Sequence, residues 1–474
     1  MSENSRPDAL QLMQSRLFAP GSLAPAQPMM GYNARRISNL HARRQGMFRK
    51  AAFFFLWILT CVIPWENAVV IPGFGTLSRV VGIPAFGMAL LAILECGTLR
   101  SFSLQHIIML FFLMWAGLTY FWSFAPSQTV TSIYTFIQLF MMVWLIWEFA
   151  QTRKEQLLLL RAYSVGAMVS SIATLVAFAQ GTGLQSGRYS GAGFNPGDLG
   201  FILALSIPTS LYLALREKRK ILAWLDGAAT VLAFCALVLT ASRGSLIACA
   251  PTVLMFPFLF PKMRVGRNLL VIVFVVLAGV GSWLYIPESS WSRLYTIGSE
   301  ISSGTLNERT MIWQLGWQVF GQAPFQGVGL RAYAPTVEHS LGLASNPGNQ
   351  IGGPVASLVA HNTFFSVLVE QGVIGFALFC ALLLTLVLAA WKLPSIERLF
   401  WLCILLTWAV GALDLTWEDR KPTWFFFGLL MATAATKLAP ETRAFGAQAS
   451  SSKRSDYYSR SPLPAGISRS QGLP

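Results

Sequence analysis

The chain is dominated by a series of apolar runs, each about long enough to cross a lipid bilayer. Apolar residues occupy 54% of the 474 positions, and charged residues occupy only 12%. A membrane-spanning helix needs about 20 apolar residues, and a backbone inside hydrocarbon must satisfy its own hydrogen bonds. The runs lack the period-2 alternation of β-strands. The sequence therefore predicts an all-α, polytopic membrane protein.

We predict about twelve transmembrane helices in one domain, residues 49–438. The polar residues 1–48 and the Ser-, Arg- and Gly-rich residues 439–474 predict disordered cytoplasmic tails. The first run follows a basic tail that is too long for a signal peptide, so we expect a retained anchor. The predicted spans are residues 51–65, 79–95, 104–122, 130–149, 158–179, 197–215, 221–240, 245–260, 268–286, 363–390, 398–415 and 423–438.

The basic residues predict how the chain is oriented. Loops on the cytoplasmic side of a membrane carry an excess of Lys and Arg. With the N-terminus in the cytoplasm, only eight of the 35 Lys and Arg residues lie outside, so both termini are predicted to be cytoplasmic. The net charge of +15 flanks apolar runs and forms no soluble basic face, which argues against nucleic acid as a partner. The eight outer basic residues are Arg79, Arg188, Arg243, Arg293, Arg309, Arg331, Arg420 and Lys421.

One long loop, residues 287–362, is predicted on the outer side between the ninth and tenth spans. Its amphipathic stretch from Asn307 to Phe320 predicts a helix near the membrane surface. Function in membrane proteins concentrates where loops are long and ionisable groups survive near lipid. We therefore expect the functional residues on this side.

Four short motifs lie on the outer side of the predicted topology. They contain arginines, a histidine and several glycines. The motifs are Gly187–Asp198, Ala241–Ser245, Asn307–Trp313 followed by Pro324–Gly329, and His361-Asn362 followed after nine residues by Gly372-x-x-Gly375.

These motifs resemble the O-antigen ligase and polymerase superfamily of bacterial envelope glycosyltransferases. The pattern that begins at His361-Asn362 is the most specific part, and the resemblance covers roughly residues 50–438. It implies a GT-C-like helical fold in the bacterial inner membrane. It also implies inverting, metal-independent transfer on the periplasmic face. The implied donor is a glycan on undecaprenyl diphosphate. The implied acceptor is lipid A-core in a ligase or a lipid-linked glycan in a polymerase, for lipopolysaccharide or exopolysaccharide biosynthesis.

The arginines suit this chemistry on physical grounds. A departing diphosphate gains negative charge, which fixed cations stabilise. The planar guanidinium binds phosphate oxygens through two donors and stays charged. Arg243 and Arg309 are predicted to be catalytic, and Arg188 and Arg331 to bind substrate. A solvated charge or a lipid headgroup contact is the alternative for each.

His361 is predicted to be catalytic, either as the base that accepts the acceptor's proton or as a contact to the diphosphate. Asn362 is predicted to bind substrate, with a helix N-cap as its structural alternative. Glu370 is predicted to bind substrate, with an ion pair to an arginine as its alternative. Gly372 and Gly375 predict close helix packing. The carboxylates that compete for the role of base are Asp198, Glu308, Glu338, Glu370, Asp414, Glu418 and Asp419.

The sequence shows no spacing of metal ligands, and its six cysteines lie in or beside apolar runs. No metal or cofactor is therefore expected. A polysaccharide exporter or a flippase for lipid-linked oligosaccharides is the alternative function, because transporters can also have twelve spans. Transporters commonly show internal repeats and polar groups near the membrane midplane. We see no repeat, and the ionisable groups cluster toward one face, which favours the transferase.

Overall fold

A computed structural model of the protein describes residues 46–183, 187–259, 309–340 and 358–436. These residues form α-helices, two short 3-10 turns (Ile63–Ala68 and Thr119–Trp122) and one antiparallel hairpin of β1 (Val70–Ile71) and β2 (Gly75–Thr76). The helices are α1 (Met47–Val62), α2 (Leu77–Cys96), α3 (Leu104–Leu118), α4 (Pro126–Phe149), α5 (Arg153–Ala179), α6 (Pro196–Arg216), α7 (Lys220–Leu239), α8 (Arg243–Leu259), α9 (Arg309–Gln322), α10 (Tyr333–Ser340), α11 (Thr363–Trp391), α12 (Ser395–Ala412) and α13 (421–436).

Nine helices in the described part of the chain are long and apolar enough to cross a membrane. They are α1 to α7, α11 and α12, with α1 and α3 extended by their 3-10 turns. The prediction of a polytopic helical membrane protein is therefore confirmed. The shorter helices α8 and α13 occupy the eighth and twelfth predicted spans. The ninth, 268–286, lies outside the described residues, as does most of the predicted loop, so the count of twelve and the loop stay predictions.

Helix α6 lies at the centre of the bundle. In the most apolar 18-residue stretch of α6, 94% of the residues are buried, whereas only 22% are buried in the corresponding stretch of α2. Helix α6 packs against α5, α7, α8 and α12, and its apolar residues on every face explain this complete burial. The Tyr163 hydroxyl of α5 donates to the Ile202 carbonyl of α6 at 3.2 Å. The peripheral helices instead expose large apolar side chains such as Leu94 and Leu384, as contact with lipid requires.

Helix α11 is interrupted at Gly372, whose φ of 65° and ψ of −173° are not helical. The segment before α10 packs against this interruption, and its backbone bonds to the groups that the helix releases. Val373 N–H donates to the Pro324 carbonyl at 2.9 Å, and Gly329 N–H donates to the Glu370 carbonyl at 2.9 Å. A side chain at Gly372 would lie 2.1 Å from the Phe325 carbonyl. Gly372 therefore packs closely against the Pro324–Gly329 segment at a break in α11, whereas the sequence predicts packing against another helix.

Candidate active site

The four motifs meet at one end of the bundle, which we call the site end. The connection between α12 and α13, residues 413–420, touches several of them. Arg309 at the start of α9 pairs with Asp414, and Thr363 at the start of α11 donates its hydroxyl to the Leu415 carbonyl at 2.7 Å. Residues far apart in sequence therefore form one cluster, because α6, α8, α9, α11 and α13 all begin at this end.

Arg309 is held by a carboxylate. Its Nη1 lies 2.5 Å from Asp414 Oδ1, and both side chains are about one-quarter exposed. Asp414 also packs on the backbone of Gly244, where an added Cβ would lie 1.8 Å from Asp414 Oδ2. The glycine of the Ser-Arg-Gly turn therefore leaves room for the carboxylate that pairs with Arg309. From the sequence, Asp414 is predicted only as a competing base, and no local pattern pairs it with Arg309.

The turn that carries Arg243 is anchored to the beginning of α6. The Ser242 and Ser245 hydroxyls lie 2.8 Å apart, and Ser245 Oγ donates to the Gly197 carbonyl at 3.2 Å. Ala241 has a φ of 46°, a left-handed conformation that turns the chain sharply between α7 and α8. Arg243 is the first residue of α8 and is half-buried.

Arg188 lies beside this turn. Its Nε donates to the Thr240 carbonyl at 3.1 Å, and the neighbouring Tyr189 N–H donates to the Leu239 carbonyl at 3.0 Å. These bonds attach the segment before α6 to the end of α7. The structure therefore brings the Arg188 motif and the Arg243 motif together, as a shared site requires.

His361 occupies a constrained backbone position at the start of α11. Its φ is 46°, which is uncommon for a residue with a side chain. The Ala360 carbonyl before it accepts from Trp313 Nε1 at 2.8 Å. The Asn362 carboxamide oxygen after it accepts from Phe365 N–H at 3.0 Å. Asn362 is therefore the N-cap of α11, as its structural alternative predicts, and its contact with substrate stays a prediction.

Burial lowers the pKa of His361 below its ordinary value, and the positive charge of Arg309 lowers it further. The negative charges of Asp414 and Asp198 act in the opposite direction and only partly offset this. The imidazole is consequently neutral at pH 7 and able to accept a proton. These interactions also place His361 within electrostatic reach of the Arg309–Asp414 pair.

Asp198 connects α6 to the 413–420 connection. Its Oδ1 accepts from Trp417 Nε1 at 2.7 Å, and its Oδ2 pairs with Arg420 Nη2 at 3.3 Å. Asn195 fixes its position, because the Asn195 side chain caps α6 by accepting from Asp198 N–H at 2.8 Å. The sequence shows this cap as Asn-Pro-Gly-Asp before an apolar run. It does not show the partners of the carboxylate.

Glu370 and Arg331 form a second group of contacts. Glu370 Oε2 accepts from the backbone N–H of Arg331 at 2.7 Å, and Arg331 Nη1 pairs with Asp419 Oδ2 at 3.0 Å. Arg331 adopts a left-handed φ of 64°, which this bond helps to maintain. Asp419 raises the pKa of Arg331, so that side chain stays charged. Glu370 thus bonds to the backbone of Arg331 and holds its loop in place. The Arg331 guanidinium forms its ion pair with Asp419 and not with Glu370.

Glu418 is a buried acid, which the sequence predicts only as one of several competing bases. It is 2% exposed, its Oε1 accepts from Ser366 Oγ at 3.0 Å, and its Oε2 has no hydrogen-bond partner within the described residues. Burial raises its pKa, and the neighbouring charge of Asp419 raises it further. The site end therefore carries a carboxyl group with a strong tendency to hold a proton.

The described residues contain no group of three His, Cys, Asp or Glu side chains arranged to hold a metal ion. The positive charge described at the site end is that of arginine and lysine side chains. The site end therefore brings together arginines, a histidine whose pKa is lowered, and acids that pair with two of the arginines. Fixed cations of this kind can stabilise negative charge on a bound group.

Comparison with known proteins shows what the chain is similar to. The family model described as O-antigen ligase matches residues 228–380. The resemblance to the O-antigen ligase and polymerase superfamily is thereby confirmed. The matched residues include Arg243, Arg309, Arg331, His361 and Glu370.

The chain is also similar to the exopolysaccharide production protein ExoQ of Rhizobium meliloti (strain 1021). The two are 26% identical over 302 residues, which is 61% of this chain and 65% of the relative. The match therefore covers slightly less than two thirds of the length of that relative. The family model and the relative are thus described, respectively, by O-antigen ligation and by exopolysaccharide production.

Proposed function

We propose that the protein transfers a glycan from undecaprenyl diphosphate to an acceptor hydroxyl at the periplasmic face of the bacterial inner membrane. It would act as an O-antigen ligase or a polysaccharide polymerase, with inversion at the transferred sugar and without a metal ion. The observation that carries this proposal is the Arg309–Asp414 pair within electrostatic reach of a neutral His361. The family match and the relative's role in exopolysaccharide production support it.

In this proposal the arginines bind the leaving diphosphate. A guanidinium carries five N–H donors, and Asp414 occupies Nη1 of Arg309. The remaining donors of Arg309 are available for phosphate oxygens, and Asp414 keeps the group oriented. Arg243 begins α8 after the α7–α8 turn, and Arg188 lies beside that turn. Donors oriented before the reaction stabilise the charge that develops on the leaving oxygen.

His361 accepts the proton in this mechanism. The acceptor oxygen attacks the anomeric carbon from the face opposite the diphosphate, and a new carbon–oxygen bond forms. The bond from that carbon to the phosphate oxygen breaks, and its electron pair leaves with the diphosphate. The acceptor's proton moves to a ring nitrogen of His361, which is free to take it because the imidazole is neutral.

Transfer by the purified full-length protein tests the proposal. The assay supplies a glycan on undecaprenyl diphosphate and an acceptor in vesicles, with and without EDTA. We expect product in both conditions because arginines, not a metal ion, supply the positive charge. If the purified protein gives no product, and glycan export depends on its presence in cells, the protein is instead an exporter. Loss of product with EDTA and its recovery with Mg²⁺ would overturn the metal-free mechanism.

Deletion of the gene, followed by glycan gels, separates the two forms of the proposal. Loss of all capped lipopolysaccharide identifies a ligase. Caps of a single repeat identify an O-antigen polymerase, and loss of a free polymer identifies an exopolysaccharide polymerase. Unchanged glycans of every kind would contradict the proposed function.

A further inference from the structure

A second feature of the fold is a cavity between α1, α2 and α4 that takes no part in the cluster around His361. Its volume is about 400 Å³, within the range of about 300–1,000 Å³ typical of ligand sites. On α4 its lining extends from Thr135 to Leu145. The rise along the helix between these two residues is about 15 Å, or roughly half of the hydrocarbon thickness.

The wall of the cavity is apolar and continues from the bundle interior to its surface. Leu59 and Leu145 are buried, whereas Ile83 is 64% exposed and Met141 is 37% exposed. A cavity of this kind on membrane-spanning helices opens toward lipid. Gly82 lies in the lining, and an added Cβ there would meet no atom within 4 Å. The cavity is therefore partly the space left by the missing side chain of Gly82.

Two cations stand where this cavity approaches the site end. Arg79 lies in the lining near the start of α2 and is exposed, and no ion pair to it is found among the described residues. Lys421, at the start of α13, has its Nζ 2.6 Å from Glu66 Oε2. Lys421 follows Arg420, whose guanidinium pairs with Asp198. The charged end of the cavity is thus next to the candidate active site, because Lys421 and Arg420 are consecutive residues.

We propose that this cavity binds the part of the isoprenoid chain nearest the phosphate of the lipid-linked donor, with Arg79 and Lys421 facing that phosphate. This inference rests on the proposed function. An apolar cavity with cations at its site end suits an amphipathic anion with one hydrocarbon chain. A phospholipid carries two chains. Arg79 and Lys421 are also two of the eight outer basic residues, and the motifs of the sequence account for neither.

Photolabelling of the full-length protein in lipid nanodiscs tests this assignment. The probe is undecaprenyl phosphate with a diazirine in the isoprenoid chain. We expect label on peptides that contain Ile83 and Met141, and we expect excess undecaprenyl phosphate but not phosphatidylglycerol to remove it. Label elsewhere, or equal competition by phosphatidylglycerol, would overturn the proposal.

Gly82→Leu fills the cavity and is the principal variant. Added carbons in an apolar pocket change binding by about 10-fold or more, so labelling should fall at least tenfold. Gly87→Leu is the matched control, because it lies on the same helix, also meets no atom within 4 Å and is not in the lining. Equal labelling of the two variants would contradict the assignment.

Arg79→Gln tests the charge without changing the cavity. It should weaken competition by undecaprenyl phosphate and leave competition by the uncharged alcohol unchanged. Equal effects on competition by the phosphate and by the alcohol would show that Arg79 does not contact the phosphate.

Transfer assays separate this inference from the proposed function. Normal transfer by Gly82→Leu with an unchanged KM for the donor would refute the cavity assignment and leave the transferase in place. Specific labelling of the cavity without transfer by the wild-type protein would refute the transferase and leave a polyprenyl-binding site.

Discussion

Two of the predicted site arginines are paired with carboxylates from another part of the chain. Arg309 pairs with Asp414, and Arg331 pairs with Asp419. Such pairs gain little as surface contacts. At half-buried positions they fix long side chains in place before any ligand arrives, and this preorganisation lowers the cost of binding a charged transition state. The acids at the site end are therefore best understood as groups that position the arginines.

The first prediction concerns the shape of the arginine side chain. Arg243→Lys and Arg309→Lys keep the positive charge but lose the planar arrangement of donors that binds two phosphate oxygens. Each should reduce transfer by about 10²–10³-fold, as does removal of one transition-state donor in other enzymes. The measurement is product per unit of protein in the membrane.

The control for this prediction is Arg219→Lys, an exposed arginine between α6 and α7, which should transfer normally. Arg293, which has no place in a shared motif, lies outside the described residues. Near-normal transfer by both site variants would contradict their assignment. Loss of the protein from the membrane would indicate a structural role instead.

The second prediction is that His361 titrates below its ordinary pKa of about 6.5. Burial and the Arg309 cation disfavour the charged imidazole, so at any given pH a smaller fraction of this group is protonated than of a free imidazole. NMR of histidine-labelled protein measures this directly, because the chain has only four histidines and His361→Gln assigns the signal. Transfer should persist to the same low pH and decline as His361 becomes protonated.

Two variants test the cause of that shift. Arg309→Gln removes a nearby positive charge and should raise the pKa of His361. Asp414→Asn removes a negative charge that favours the imidazolium and should lower it. Shifts in the same direction, or none, would show that the two side chains do not act on His361 through their charges.

At the scale of elements, the fold is organised around a broken helix. The interruption of α11 at Gly372 exposes backbone groups, and the Pro324–Gly329 segment bonds to them. The same segment leads into Arg331, whose backbone Glu370 holds. Two motifs that look like separate sequence patterns are thus one interlocked structure. Its consequence is that the Arg331 loop has a fixed position relative to the beginning of α11 and His361.

The third prediction tests this interlock. Gly372→Ala places a Cβ 2.1 Å from the Phe325 carbonyl at a residue with φ of 65°. A strained backbone of this kind costs about 1–3 kcal/mol, so the midpoint of thermal unfolding should fall. Gly321→Ala on α9 is the matched control, because its Cβ would meet no atom within 4 Å. Equal midpoints for the two variants would show that the interruption tolerates a side chain.

The sequence was sufficient to predict the helices but not the partners of their charged residues. Apolar runs of bilayer length are a local signal, and nine of them reappear as candidate spans in the described residues. The Asn362 cap is also local, since it depends on residues three positions apart. The pair of Arg309 with Asp414 joins positions 105 residues apart. Nothing in the local pattern of either residue specifies such a contact.

At the scale of the whole molecule, ion pairs occupy both ends of the bundle. The end opposite the site has its own set, which includes Arg49–Glu155 at 2.8 Å and Arg161–Asp226 at 2.7 Å. These pairs link helices that are distant in sequence, and they account for part of the basic excess on that side. Exposed basic residues such as Lys218 supply another part of that excess. The positive-inside rule counts both kinds of residue.

The last prediction is the orientation of the bundle. Ser340 ends α10, whose His339 ring packs 4.8 Å from that of Phe124 at the site end. Lys218 follows the opposite end of α6, a helix that begins at the site end. A reporter that is active only outside the cytoplasm should therefore work when fused near Ser340 and fail near Lys218, since 27 of the 35 basic residues are predicted to be inside. A reporter that is active only in the cytoplasm should give the reverse. The opposite pattern would place the site in the cytoplasm and exclude a periplasmic transferase, and equal activity at both positions would contradict the predicted topology.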